Sequence, residues 1–160
     1  MATPYPNLDS NRTASGARRN AAILITGAGG EMGHGLLVSL ARERAEAGGD
    51  FPAVVAIDLR ELSPACKDLC DESFAGDVTD SALLSRLIAQ YEITEIYHLA
   101  ALLSTRSEYV PETAQEVNVG GTMNLLRIAV EAARSTGEAV KFFFPSSIAA
   151  YGLADLEVKQ

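Results

Sequence analysis

Ala21-Ala22-Ile23-Leu24-Ile25-Thr26-Gly27-Ala28-Gly29-Gly30-Glu31-Met32-Gly33 decides the fold. Residues 21–25 are a short apolar run bounded by Gly27, the texture of a strand buried on both faces. The residues that follow read as a helix. Met32, Leu36, Leu37, Leu40 and Ala41 fall on one helical face, Glu31, Arg42, Glu43 and Glu46 are polar, and Gly48-Gly49 supplies a stop. A buried strand, a glycine turn and a helix therefore follow one another without interruption.

Outward from this unit the alternation repeats. Residues 53–57 predict a second buried strand, and 73–76 a short third one entering the polar turn 77–80. Leu83, Leu84, Leu87, Ile88 and Tyr91 predict a helix, 95–99 a fourth strand, 111–135 a long helix ending near Gly137, and 140–144 a fifth strand before Pro145. Strands alternating with helices give an α/β chain whose parallel sheet is covered on both faces. Residues 1–20 carry Pro4, Pro6, Ser10, Ser15, Gly16 and several basic residues without apolar periodicity, and predict a mobile tail ahead of one domain over 21–160.

The 160 residues suffice for one core, and 48% hydrophobic against 21% charged residues is the balance of a globular domain. Thirteen Lys and Arg stand against 21 Asp and Glu, and this net charge of -8 argues against nucleic acid or an anionic membrane as partner. No apolar run approaches the ~20 residues of a membrane span, and the first twenty residues have no apolar segment of the signal-peptide kind, so the expected compartment is the cytoplasm. Cys66 and Cys70 lack a second ligand pair, so no metal site is expected and both read as ordinary thiols.

Ligands of open α/β sheets lie at the carboxyl ends of the strands, where strand order reverses. After the first strand, Gly27, Gly30 and Gly33 recur every third residue. Missing side chains let the backbone approach a pyrophosphate, and the amides of the helix start, around Glu31 and Met32, receive its charge. Taken alone a glycine triplet is weak evidence, because turns gather Gly for steric reasons. Here a strand precedes it, a helix follows it, and Asp58 ends the second strand where an acidic residue would accept both hydroxyls of an adenosine ribose. The same carboxylate repels a 2′-phosphate, so the expected cofactor is NAD rather than NADP. Arg60 either pairs with a phosphate or lies solvated.

These residues resemble the extended short-chain dehydrogenases, the NAD-dependent epimerase/dehydratase family, whose TGxxGxxG signature matches Thr26 to Gly33. Four further segments resemble the family in order: Gly76-Asp77-Val78, His98-Leu99-Ala100-Ala101, Asn118-Val119 with Gly121-Thr122, and residues 144–152, similar to its catalytic-serine strand. The resemblance spans about residues 21–152 and implies a Rossmann-type doubly wound sheet, truncated after about five strands. It implies that Asp77 and the Val78 amide meet the adenine, that Leu99, Ala100 and Ala101 flank the nicotinamide ribose, and that Asn118 steadies the central helix. Asp77 reads equally as a turn residue or N-cap, and Asn118 as a satisfied buried amide. His98 reads as a packed strand residue rather than an acid or base.

Ser147 matches the family serine that hydrogen-bonds the substrate oxygen where hydride leaves or arrives, an interaction that strengthens in the transition state. The family's catalytic tyrosine has a lysine four residues later. The residue four after Tyr151 is Asp155, and no other Tyr of the sequence has Lys at that position. The resemblance therefore implies an N-terminal, NAD-binding half that is itself inactive, with an exposed edge at the fifth strand, from a parent that acts by hydride transfer on a nucleotide sugar or small hydroxy compound and forms a homodimer. Leu102-Leu103-Ser104-Thr105 and residues 145–150 look closest to the threonine-dehydrogenase branch; Ser104 and Thr105 either offer hydroxyls to a substrate or cap a turn. A nucleotide sensor without chemistry, or glycines serving packing alone, are the competing readings.

Overall fold

The run around Ile23 is strand β1, Asn20–Thr26, and its residues from Ala22 onward are buried. In the computed structural model, which describes residues 19–49, 51–147 and 150, β1 lies at the centre of a five-stranded sheet. The other strands are β2 (Ala53–Asp58), β3 (Glu72–Ala75), β4 (Tyr91–His98) and β5 (Lys141–Phe143), and the order is β3-β2-β1-β4-β5. Every pairing is parallel. This is the Rossmann-type arrangement, and strand order reverses between β1 and β4.

The helices are α1 (Glu31–Ala47), α2 (Pro64–Lys67), α3 (Ser81–Gln90), α4 (Ser104–Tyr109), α5 (Pro111–Gln115) and α6 (Thr122–Thr136), with a π-helical turn over Glu116–Gly121 between the last two. Two apolar clusters cover the two faces of the sheet. On one face Leu37 and Leu40 of α1 pack with Ile23, Ile25, Val54 and Ala56; on the other, Leu84 and Leu87 of α3 and Leu125 and Ile128 of α6 pack with Leu24, Val55, Ile57 and Ile96. Period-two side chains from β1 thus feed both layers, which is why its sequence is apolar at successive positions.

Local chemistry sets the boundaries. Asp80 caps α3 by accepting from the amides of Ala82 and Leu83, and Gly48 and Gly137 end α1 and α6 in the left-handed conformation. Tyr91, expected on the helical face after Leu87, is instead the buried first residue of β4. β4 is longer than the expected 95–99 because a register shift accommodates Thr94, whose hydroxyl donates to the Ala22 carbonyl at 3.2 Å. The expected helix over 111–135 is real but divided by the π-turn. Met32, placed by periodicity on the core face of α1, is 63% exposed, and Gly33 takes the buried position. Of the expected tail over 1–20, residues 1–18 lie outside the described residues, as does Tyr151, while Asn20 instead opens β1 by pairing with β4.

Candidate cofactor site

A cleft of about 450 Å³ opens at the carboxyl ends of β1, β2 and β4, where strand order reverses. Its first wall is the turn from β1 into α1. The Gly27 amide donates to the Ile57 carbonyl at 2.9 Å, and the Gly30 amide to the Gly27 carbonyl at 3.1 Å, which folds the backbone over the end of β2. Gly27 has φ +71°, and a Cβ there would stand 2.7 Å from the Ala100 nitrogen. A Cβ on Gly33 would stand 2.3 Å from the Gly27 carbonyl oxygen. Gly30 differs from both: its added Cβ would meet only the Gly27 oxygen, at 3.3 Å.

Gly27, Gly30, Glu31, Met32 and Gly33 line this wall, and Asp58 lies beside it. Asp58 accepts from the Gly29 amide at 2.9 Å through Oδ2 and from the Arg60 amide at 3.3 Å through Oδ1. A Cβ on Gly29 would crowd that carboxylate at 3.1 Å. Gly29 is thus a fourth glycine of the turn, close to side chains rather than to backbone, which the three-residue spacing passes over; its signal was the doubled Gly29-Gly30.

Asp77 and Val78 line the cleft after β3. The Asp77 Oδ1 accepts from the amide and hydroxyl of Thr79, both at 2.9 Å, so Asp77 also closes its own turn. Gly121 of the π-turn lies over Val78, where a Cβ would be 2.5 Å from its Cγ2, and Asn124 donates to the Val78 carbonyl at 3.3 Å.

Leu99, Ala100 and Ala101 form the opposite wall, joined by Leu102, Leu103 and Val117. Leu99 extends the pairing of β4 with β1, its amide donating to the Thr26 carbonyl at 3.0 Å. Asn118 does not line the cleft. Its Oδ1 accepts from the Leu102 amide at 2.7 Å and its Nδ2 donates to the Leu102 carbonyl at 3.0 Å, so the π-turn grips the loop after β4 from behind. His98 is fully buried, and burial pushes its pKa down to about 4. Ser147 is exposed beyond β5 and is not among the cleft-lining residues.

Among the described residues there is no group of three or more His, Cys, Asp or Glu placed to hold a metal, and no helix is long and apolar enough to cross a membrane. Cys66 and Cys70 are free thiols, and burial together with Asp71 pushes that of Cys70 up. The donor set of the cleft, backbone amides at a helix start with one carboxylate at the end of the neighbouring strand, fits a dinucleotide: amides for the pyrophosphate, a carboxylate for ribose hydroxyls.

Residues 24–160 match the family described as GDP-mannose 4,6 dehydratase. The chain belongs to that family. It is 37% identical over 130 residues to an uncharacterized epimerase/dehydratase of Staphylococcus saprophyticus, covering 81% of this chain and 37% of that protein. Among solved structures it resembles L-threonine dehydrogenase from Clostridium difficile, with TM-score 0.65, 36% identity, and coverage of 83% of this chain and 38% of the other. A UDP-glucose 4-epimerase gives TM-score 0.64 at 27% identity, with coverage of 84% and 38%. The epimerase/dehydratase resemblance and the Rossmann-type sheet expected from sequence are borne out. The chain spans about 37% of the length of the curated relatives it matches.

Proposed function

We propose that this chain is the NAD-binding half of an epimerase/dehydratase-type oxidoreductase that transfers hydride at a hydroxyl- or carbonyl-bearing carbon of a small substrate. One observation carries the reading: the glycine turn, Asp58 and the loop after β4 enclose a single cleft at the reversal of strand order. When bound, the nicotinamide supplies a reversible hydride acceptor. The amides at Glu31 and Met32 hold the pyrophosphate at the positive end of α1, a 17-residue helix, with Gly30 leaving room for its approach. The Asp58 carboxylate accepts from the adenosine ribose hydroxyls, exchanging or sharing its present bonds to the Gly29 and Arg60 amides. Asp77 and Val78 bound the adenine, and the small side chains of Ala100 and Ala101 leave room for the nicotinamide ribose.

Ser147 donates to the substrate oxygen in this reading, in a parent where the acid–base pair comes from outside these 160 residues. Between substrates, the likeness to L-threonine dehydrogenases at 31–36% identity supports a small hydroxy amino acid, with a nucleotide sugar as the second reading. A homodimer belongs to the same proposal. Met123, Leu126 and Val130 form an exposed apolar stripe on α6 spaced three and four residues apart, the interval of a helix seam, with Arg127, Glu131 and Arg134 beside it. Leu126→Glu should then shift a sedimenting dimer to monomer.

The cofactor reading is tested by calorimetric titration with NAD⁺ and NADP⁺. Tighter binding of NAD⁺ is expected, and Asp58→Ala should narrow the gap by about tenfold or more, since a charge-assisted hydrogen bond and a repulsion are lost together. Tighter NADP⁺ binding by the unaltered chain would overturn the preference.

A further inference from the structure

Behind the loop after β4, a buried histidine is wired between two threonines. Thr26 Oγ1 is 2.8 Å from His98 Nδ1, and Thr122 Oγ1 is 2.9 Å from His98 Nε2. The proton positions follow from the remaining contacts. Thr122 Oγ1 is 2.6 Å from the Asn118 carbonyl, which only accepts, so the single hydroxyl proton of Thr122 is committed there. Towards His98 the same oxygen is an acceptor, and Nε2 carries the ring proton. In the neutral ring Nδ1 is then the acceptor, and Thr26 donates to it. The Ala100 amide completes the chain by donating to Thr26 Oγ1 at 3.4 Å.

Every bond therefore runs one way: Ala100 amide to Thr26, Thr26 to His98, His98 to Thr122, Thr122 to the Asn118 carbonyl. Asn118 in turn holds both backbone groups of Leu102. Ala100 and Leu102, two positions of the cleft wall, are thus the two ends of one hydrogen-bonded circuit through β1, β4 and the π-turn. Phe144 stacks on the imidazole at 5.4 Å and Phe142 meets it edge-on at 6.4 Å, fixing the ring plane.

We infer that His98 is a positioning residue: as a neutral Nε2–H tautomer it sets the spacing of Ala100 and Leu102, and through them the shape of the β4 side of the cleft. The inference rests on the cofactor reading only for its effect on binding. Asparagine or glutamine offers no second ring nitrogen at this separation, and a cationic ring would present a proton to Thr26 where the circuit needs a lone pair. Burial favours the neutral ring, in keeping with its lowered pKa.

The test combines ring ¹⁵N spectra with amide exchange and cofactor titration on the whole chain. Long-range ¹⁵N–¹H correlation should show the Nε2–H tautomer for His98 at neutral pH, with exposed His34 assigned through His34→Gln. In His98→Gln and Thr122→Val, exchange at the Ala100 and Leu102 amides should quicken about fivefold to tenfold, while β1–β2 amides keep their rates, and NAD⁺ affinity should fall by a similar factor. An Nδ1–H or cationic ring, or unchanged exchange at both amides in folded variants, would overturn the inference. Should the variants fail to fold, the tautomer of the unaltered chain decides. Absence of NAD⁺ binding by the unaltered chain would defeat the cofactor reading instead, leaving the tautomer and exchange results to judge the circuit.

Discussion

On the β1 side of the cleft the backbone closes on itself because residues 27, 29, 30 and 33 lack side chains, whereas on the β4 side it is held by the side chains of His98, Thr122 and Asn118. The first wall is steric. At Gly27 and Gly33 its shape follows from what is missing, because a Cβ there would meet backbone that no rotamer change clears. The second wall is hydrogen-bonded, and each bond there contributes about 1 kcal/mol, more where its loss leaves a buried partner unpaired. The two meet at Gly27, where the turn packs directly on the Ala100 backbone.

The largest expected effect is therefore on the glycine side. Gly33→Val and Gly27→Val should destabilise by more than about 3 kcal/mol, since the new Cβ atoms fall within 2.3 and 2.7 Å of backbone that no rotamer change clears. Urea unfolding followed by circular dichroism measures this. Gly30→Val should keep the fold and lose at least about tenfold in NAD⁺ affinity, because its side chain enters the cleft and meets little else. If Gly33→Val unfolded at the same urea concentration as the unaltered chain, the steric account of this wall would fail.

A smaller effect separates the second wall. His98 is neutral in the native chain down to about pH 4 and has an ordinary pKa of 6.5 when unfolded. Between those values the unfolded chain binds a proton that the native chain does not. Stability linked to His98 is thus fully present above about pH 6.5 and is lost as pH falls towards 4, by up to about 3 kcal/mol. The difference between the unaltered chain and His98→Gln, measured across that window, isolates this group from the carboxylates that titrate alongside it. Parallel pH profiles for the two would show that folding does not lower the His98 pKa, contradicting the buried neutral ring. Smaller still, Asn118→Ala should cost about 1–2 kcal/mol and quicken exchange at the Leu102 amide, with the β1–α1 turn unchanged.

The same contrast explains what could be read from the residues. Gly27, Gly30 and Gly33 announce themselves because glycine is the one residue without a Cβ, and β1, β2 and α1 follow from periodicity on either side of them. Asp58 was legible because an acidic residue ends a run of buried apolar ones. Asn118 was visible as a residue, yet its grip on Leu102 depends on the π-turn, and hydrophobic periodicity reads the whole of 111–135 as one helix. Thr26 and Thr122 belong to the matched segments, but their partnership through His98 spans 96 residues and exists only once β1 and β4 pair. Met32 went to the wrong surface and Tyr91 to the wrong element because each sits at an element boundary, where one residue of drift changes the assignment.

The cleft's occupant is tested most directly by following backbone amide shifts during titration with NAD⁺. The amides of residues 27–33, 58, 77–78 and 99–102 should move together and saturate at one affinity, with those lining the groove around Arg44 and Asp71 at the opposite sheet end unmoved. Shifts confined to the Arg44 groove, or none at saturating NAD⁺ in a folded chain, would contradict the assignment of this cleft as the dinucleotide site.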